Sequence, residues 1–373
     1  MAHAYTPGLM VTAKTIYLKD RRLPLKGDVT VKVGDRVRAE DVVARTELPG
    51  SVYPVNAAFK LSCPPKDVPE AILVSEGSQV TEGQVIGRSA TFFGMFNHEL
   101  RSPVTGTLES ISRITGQIML RAAPIPVELN AFIDGEVIGI IEDEGVTLST
   151  PASFVQGIFG IGGEVQGELM MVASQPDQTL DESNLPPNVE GKVLVGGALV
   201  TLGAIRKAIE LGAKALIAGG IHDQDLRELL DHDLGVAITG NENLGLTLVL
   251  TEGFGTIPMA NRTFELLRDR EGCKTSVCGA TQIRAGVMRP EIVIPLDDQQ
   301  SSVPTSEAKG YMEIGSSIRI IRQPRFGEIA RVKSLPVELT MIESGASVRV
   351  VEVEFEDGKC SKLPRANVEL IEF

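Results

Sequence analysis

Two segments near the N-terminus share one pattern, and this internal repeat is the feature that most constrains the fold. The segments are residues 31–44, VKVGDRVRAEDVVA, and residues 74–87, VSEGSQVTEGQVIG. Each reads as a strand, a tight glycine-polar turn, an isolated valine, a second turn and an apolar strand. Two such halves can close on one another with approximate twofold symmetry, so the repeat predicts a compact β unit.

The repeated residues resemble the halves of the lipoyl/biotinyl-type barrel-sandwich hybrid, which read V-x-x-G-D-x-V-x-x-G-x-x-L-A. Residues 101–108, RSPVTGTL, are similar to the strand-turn element that returns the sheet in that fold, and residues 132–139, FIDGEVIG, are interpreted as a further copy. The resemblance covers about residues 26 to 145. It implies a β-rich, barrel-sandwich hybrid-like domain, which we place at residues 1–173.

The sequence departs from this family where a carrier domain would be modified. A carrier domain needs a lysine at its hairpin tip, and the corresponding stretch here, residues 47–51, reads ELPGS. Similar barrels without the lysine occur in RnfC- and NqrA-type subunits of ion-translocating oxidoreductases, and the RnfC resemblance would imply iron–sulfur clusters. The four cysteines, Cys63, Cys273, Cys278 and Cys360, form no CxxC pair. We therefore expect no cofactor and no metal.

Two polar, proline-containing stretches, residues 174–190 and 296–309, read as linkers and divide the chain. Between them, residues 191–295 alternate short apolar runs with helical patterns, which predicts a small parallel α/β domain. Thr201 is the expected N-cap of its first helix. A later helix is expected to begin near Pro258, with Thr256 as its cap.

Glycine-bearing stretches follow the predicted strands of this α/β domain. Loops at the carboxyl ends of parallel strands form the ligand crevice in open α/β sheets, and helix N-termini there favour anions. No nucleotide-binding glycine motif accompanies them, and turn formation is the alternative explanation. The candidate ligand-binding residues are Gly196, Gly197, Thr201, Gly219, Gly220, His222, Glu252, Gly253 and Gly255.

Residues 315–333 resemble the KOW element of SH3-like barrels, and the resemblance covers about residues 313 to 373, so we place a KOW/SH3-like barrel at residues 310–373. Residues 315–333 alternate apolar and polar positions around a PRFG turn. In that family the module often contacts RNA, ribosome or polymerase. Acidic residues surround the basic ones in sequence, so protein contact or an intramolecular brace is the favoured role. The candidate nucleic-acid or partner-binding residues are Arg319, Arg322, Arg325, Phe326, Arg331 and Lys333.

The charge balance narrows the possible partners. There are 36 Lys and Arg against 49 Asp and Glu, and the net charge of −13 repels nucleic acid and anionic surfaces unless a local basic patch overrides it. No apolar run is long enough for a membrane span and the start lacks the pattern of a signal peptide, so we expect a cytoplasmic protein without membrane insertion.

The first functional hypothesis is a non-catalytic structural, adaptor or assembly protein that acts through protein partners or self-association. No residue is assigned a catalytic role. An enzyme or accessory factor that binds an anionic small molecule at the glycine loops is the alternative. An RNA- or ribosome-associated factor that acts through the KOW-like module is the third.

Overall fold

The computed structural model describes residues 9–91, 96–230, 244–281, 288–296, 312–320, 325, 328–336, 338–341, 347–355 and 358–371. About half of these residues lie in β-strands, so the protein is β-rich, with several sheets. The described residues up to 156 form the strands β1 Val11–Arg22, β2 Asp28–Val29, β3 Arg36–Val37, β4 Val42–Leu48, β5 Val52–Asn56, β6 Gln79–Val80, β7 Val85–Thr91, β8 Phe96–Arg101, β9 Gly106–Ile111, β10 Gln117–Ala122, β11 Ile125–Asn130, β12 Gly135–Ile141 and β13 Gly145–Gln156.

The repeated sequence pattern is confirmed as a structural repeat by equivalent hydrogen bonds. In the first copy the Thr30 N–H donates to the Val43 carbonyl, and in the second copy the Leu73 N–H donates to the Ile86 carbonyl. Both bonds join the residue just before the copy to the strand that ends it, β4 in the first copy and β7 in the second. The same local pattern of turns and apolar positions therefore produces the same backbone pairing twice.

Each copy also pairs with its own strand-turn element. Val37 of β3 lies opposite Gly135 of β12, and Val80 of β6 lies opposite Gly106 of β9. These two partners come from the two similar segments at 132–139 and 101–108. The interpretation of those segments as copies of one element is therefore supported by their pairing.

Short helices interrupt this otherwise β region. They are α1 Ala57–Leu61, a 3-10 helix Pro65–Asp67 and α2 Val68–Ala71. The sequence pattern did not indicate them, because helices of about one turn are too short to display a 3.6-residue period. Together with strands β5 to β10 they enclose a separate core that includes Leu61, Val68 and Leu120.

A thirteen-stranded sheet dominates the middle of the chain and also includes β1, β3, β12 and β13. Its other strands are β14 Phe159–Ile161, β15 Glu164–Met171, β16 Thr179–Leu180, β17 Lys192–Val195, β18 Leu199–Val200, β19 Ala215–Ile221, β20 Thr247–Phe254, β21 Lys274–Cys278 and β22 Glu291–Pro295. Strands β17, β19 and β20 run parallel, as the α/β pattern predicted, and β15, which was assigned to the preceding β-rich domain, runs parallel beside β17. Strand β13 pairs with β22, and β15 pairs with β17, so the sheet continues across residues 174–190. In that stretch Leu180 and Val189 are fully buried.

Three helices pack on this sheet: α3 Leu202–Glu210, α4 Asp223–Leu230 and α5 Asn261–Asp269. Thr201 is confirmed as the N-cap of α3, because its side chain accepts a hydrogen bond from the Ala204 N–H. The prediction for α5 was wrong at its start. The helix begins after Ala260, three positions beyond Pro258 by residue number, and Thr256 does not cap it.

The C-terminal module consists of six antiparallel strands around its own core. They are β23 Ser317–Ile320, β24 Ile329–Ser334, β25 Leu339–Met341, β26 Ser347–Phe355, β27 Cys360–Pro364 and β28 Val368–Ile371, with a 3-10 helix Arg365–Asn367 before the last strand. In β23, Ile318 and Ile320 point into this core. Side chains alternate along a strand, so Arg319 points out of the module.

Candidate functional site

Two of the three predicted glycine loops lie in strands, which corrects the sequence-based assignment. Gly219 and Gly220 belong to β19, and Gly253 belongs to β20. The strands extend further than their apolar runs because Gly220 pairs with both Leu199 of β18 and Gly253 of β20. Backbone pairing within the sheet thus continues through the glycines to Ile221 and Phe254.

The glycines bring backbones into direct contact at this edge of the sheet. A Cβ atom on Gly219 would lie 2.2 Å from the Ile257 carbonyl oxygen, and one on Gly220 would lie 2.2 Å from the Gly255 carbonyl oxygen. No side chain fits at either position without moving the backbone. The glycine-bearing stretches therefore converge, as expected for a ligand crevice, but they pack against one another.

Gly196 and Gly197 lie at the same packed edge. The Gly219 N–H donates to the Gly197 carbonyl at 2.7 Å, and a Cβ on Gly197 would lie 2.4 Å from the Gln178 carbonyl oxygen. Gly196 is less constrained, since its nearest side-chain neighbour, Leu180, would be 3.2 Å away. This loop is closed by residues 175–180, the stretch that the sequence predicted to be a linker.

The N-terminus of α3 is occupied by carboxylates of the chain itself. The Leu202 N–H donates to Asp225 Oδ2 at 3.2 Å, so α4 supplies a second capping group besides Thr201. The Glu182 carboxylate lies over the first turn, where a Cβ on Gly203 would meet its Oε2 at 2.3 Å. Negative groups are stabilised at a helix N-terminus, and two of them at one terminus repel any further anion.

Glu252 fills the equivalent position at α5. Its Oε1 accepts a hydrogen bond from the Ala260 N–H at 3.0 Å, and its side chain is only 1% exposed. This bond takes the role that the sequence analysis assigned to Thr256. A buried carboxylate needs a compensating charge, because desolvation of an unpaired ion is costly.

Arg319 supplies that charge from the C-terminal module. Its Nη1 donates to Glu252 Oε1 at 3.0 Å, and its side chain is 7% exposed. The second carboxylate oxygen, Oε2, lies 3.0 Å from the same nitrogen and accepts no hydrogen bond from any described residue. The pair therefore joins β23 to the end of β20, at the edge where a ligand was expected.

The remaining candidates of the α/β region are His222, Gly253 and Gly255. His222 is exposed, and its backbone carbonyl accepts a hydrogen bond from the Leu226 N–H in the first turn of α4. Gly253 and Gly255 adopt φ angles of 130° and 106°, which side-chain-bearing residues rarely adopt. The two glycines have a conformational role, and His222 is at the surface.

The basic residues predicted to bind nucleic acid or a partner, which we call the basic stripe, are divided between the interior and the surface. Arg319 is buried, whereas Arg331 and Lys333 are exposed, and Lys333 Nζ lies 3.9 Å from the Glu354 carboxylate. Arg325 stacks over the Phe355 ring with its guanidinium carbon 4.1 Å from the ring centre. The other two predicted members, Arg322 and Phe326, lie outside the described residues.

A second polar cluster was not found by sequence reasoning. Alternate residues of β1 point to one face, where Lys19 and Tyr17 bind Glu291, and Arg21 forms a two-pronged ion pair with Glu164. The period-two alternation of Tyr17, Lys19 and Arg21 was the available signal, but their partners lie on β15 and β22. Only tertiary structure brings these strands together.

Phe132 lies among the cations of this cluster. Its ring is fully buried, with Lys19 Nζ 5.3 Å and the Arg21 guanidinium carbon 5.6 Å from the ring centre. Burial, and then the Glu291 carboxylate, raise the pKa of Tyr17 far above its ordinary value of 10.0. Burial also raises the pKa of the Cys278 thiol. Both groups therefore stay protonated at neutral pH, and neither is an activated nucleophile.

A cavity of about 260 Å³ lies beside the same sheet and contains none of the predicted site residues. Lys274 on its wall donates to Glu40 Oε2 at 3.2 Å and to Asp134 Oδ1 at 2.7 Å. The charges at this opening are thus paired within the chain. The cavity is lined by Glu40, Gln166, Gly167, Glu168, Gly272 and Lys274.

Within the described ranges, no group of three or more His, Cys, Asp or Glu side chains is arranged to hold a metal ion. In the same part of the chain, no helix has the length and apolar character needed to cross a bilayer. Comparison of the sequence with protein-family models and with curated proteins found no match.

Proposed function

We propose that this protein is a non-catalytic structural, adaptor or assembly protein that acts through protein–protein contacts. The observation that carries the proposal is the Glu252–Arg319 pair at the carboxyl edge of the parallel strands. Ligands of open α/β sheets bind at this edge. In this chain the edge contacts the C-terminal module instead, through Arg319. The position that binds a ligand in other open α/β sheets therefore serves to join two parts of the chain.

The same geometry argues against the two alternative functions. An anionic ligand at this edge would meet the carboxylates of Glu182, Asp225 and Glu252, which already occupy the helix N-termini. A nucleic acid would lose the contribution of Arg319, because that guanidinium is buried against Glu252. The positive charge of the basic residues that stay exposed is small compared with the net charge of −13 of the whole chain, which repels nucleic acid.

Light scattering coupled to size-exclusion chromatography tests the proposal on the full chain. We expect either a defined oligomer at micromolar concentration or a defined stoichiometric complex with a protein captured from lysate and then reconstituted from purified components. A strict monomer that forms no such complex would count against the proposal.

A thermal-shift screen with nucleotides, coenzyme A esters and phosphosugars addresses the enzymatic alternative. A ligand at one hundred times its Kd stabilises the folded state by about 2.7 kcal/mol, which is readily measured. We expect no shift from any of these compounds. A shift that is lost in Glu252→Gln would instead establish a ligand site at the sheet edge and overturn the structural interpretation.

A further inference from the structure

Three segments of the N-terminal part meet at Gly116, at the N-terminal end of α1. The Ala58 N–H of α1 donates to the Gly116 carbonyl at 2.9 Å. A Cβ on Gly116 would lie 2.4 Å from the Ala58 Cβ and 3.1 Å from the Pro65 Cα. We call this end the Gly116 tip and define it as residues 58–60, 65–66 and 113–116.

Two large apolar side chains leave the fold at this tip without packing on it. Phe59, which follows Ala58, is 82% exposed, and Ile114, two positions before Gly116, is 90% exposed. Single exposed apolar residues are normal on protein surfaces, but these two come from separate segments that contact each other. Such a concentration of unprotected apolar surface indicates a binding function.

Cations accompany the apolar side chains. Lys60, Lys66 and Arg113 belong to the same three segments, and all three are exposed. Of the nearby acidic groups, Asp67 is half-buried, and the Glu76 carboxylate accepts a hydrogen bond from the Ile111 N–H at 2.6 Å. Glu70 on α2 is exposed.

We propose that the Gly116 tip docks on the surface of an anionic phospholipid bilayer. Exposed apolar side chains that enter the boundary between headgroups and acyl chains, next to cations that attract anionic lipid, are the components of peripheral membrane binding. Two highly exposed apolar side chains suit this soft medium better than a protein partner, whose interface requires a larger complementary patch. The same bilayer repels the acidic remainder of the chain, and this repulsion orients the protein so that the Gly116 tip faces the membrane.

Sedimentation with vesicles tests this inference on the full chain. We expect the protein to sediment with phosphatidylcholine vesicles that contain phosphatidylserine and to stay in solution with pure phosphatidylcholine. Binding should weaken as salt rises, because the cations act through screened charge. Phe59→Glu and Ile114→Glu should each abolish binding. Lys60→Glu should reduce it about fivefold or more, from the loss of one cation at the surface.

Val33→Glu is the matched control, because Val33 is also an exposed apolar residue, 60% exposed, and lies in the glycine turn of the first repeat copy, outside the tip. It should bind vesicles as the unmodified chain does. Circular dichroism will confirm that the variants are folded, which is expected since all four positions are exposed. Absence of sedimentation with anionic vesicles would overturn the inference, as would equal binding by Phe59→Glu or equal loss in Val33→Glu. The inference is independent of the proposed function, since oligomeric state does not enter the measurement.

Discussion

The Arg319 guanidinium lies 3.0 Å from the Glu252 carboxylate, although 67 positions separate the two residues in the sequence. The neighbours of Arg319 in β23, Ile318 and Ile320, pack in the core of the C-terminal module. The Arg319 side chain points the other way, towards Glu252 at the end of β20. The same carboxylate holds the start of α5 through the Ala260 N–H. One buried side chain thus organises both a helix terminus and the junction between two sheets.

Removing either partner of this pair should destabilise the protein strongly. Glu252→Ala and Arg319→Ala each remove one member of this buried ion pair, at a cost of about 3–5 kcal/mol in the free energy of unfolding. Replacing both by apolar residues, as in Glu252→Leu with Arg319→Met, should cost clearly less than the sum. Urea denaturation measures all three. His222→Ala and Arg331→Ala, at exposed positions, are the controls and should unfold close to the unmodified chain.

Single variants that unfold like these controls would show that the pair does not stabilise the junction. A double variant as unstable as the sum of the singles would show that the two residues act independently. Either result would remove the basis for assigning the sheet edge to internal assembly.

The strand glycines should not tolerate even a methyl group. In Gly219→Ala and Gly220→Ala the new Cβ would meet a backbone carbonyl oxygen at 2.2 Å, and a main-chain atom cannot move aside like a flexible side chain. We expect each substitution to destabilise the protein by about 1–3 kcal/mol or more. Gly163→Ala is the control, since a Cβ there has no neighbour within 4 Å and its φ is not positive. Equal denaturation midpoints for Gly220→Ala and Gly163→Ala would contradict the close packing.

At the position of Phe132, glycine should destabilise the protein less than alanine, which is the reverse of the usual order. Loss of its fully buried ring costs about 3–5 kcal/mol in either variant. Its φ of 72° lies in the left-handed region, however, where glycine is unstrained and alanine is not. We therefore expect Phe132→Gly to be more stable than Phe132→Ala, by roughly 1 kcal/mol. Chemical denaturation of both variants decides the order, and the usual order with alanine more stable would refute the conformational argument.

Stability should fall at alkaline pH because of Tyr17. The unfolded phenol ionises around its ordinary pKa of 10.0, whereas burial and Glu291 keep the folded phenol protonated. The stabilising contribution is therefore complete below pH 10.0 and is lost as the pH rises above it, with a slope of up to about 1.4 kcal/mol per pH unit for one proton.

Urea unfolding between about pH 8 and pH 11 measures this slope against the ordinary tyrosine range. Tyr17→Phe removes the titrating group, so its free energy of unfolding should fall less steeply with pH than that of the unmodified chain. The comparison of the two proteins cancels the contribution of the other groups that ionise in the same range. Identical slopes in the two proteins would show that Tyr17 does not contribute.

Local sequence patterns were sufficient to predict the structural elements whose contacts lie within a few residues of one another in the chain. The repeat at 31–44 and 74–87 predicted two copies of one turn-and-strand unit, because the glycine turn and the valine spacing act within a few residues. The Thr201 cap was predictable for the same reason, since its bond to the Ala204 N–H spans three positions. The parallel order of β17, β19 and β20 followed from alternation of apolar runs and helices.

The sequence by itself determined that this chain is β-rich, contains a repeated unit and carries a strand–helix–strand region, because each of these is encoded in short-range periodicity. Only the tertiary structure decided what the glycines and charges do. Gly220 reads equally well as a turn or as a backbone contact until β18 and β20 lie beside it, and Glu252 reads as a ligand residue until Arg319 faces it. Such contacts depend on how distant segments pack, and pairing across 67 positions leaves no local pattern in the sequence.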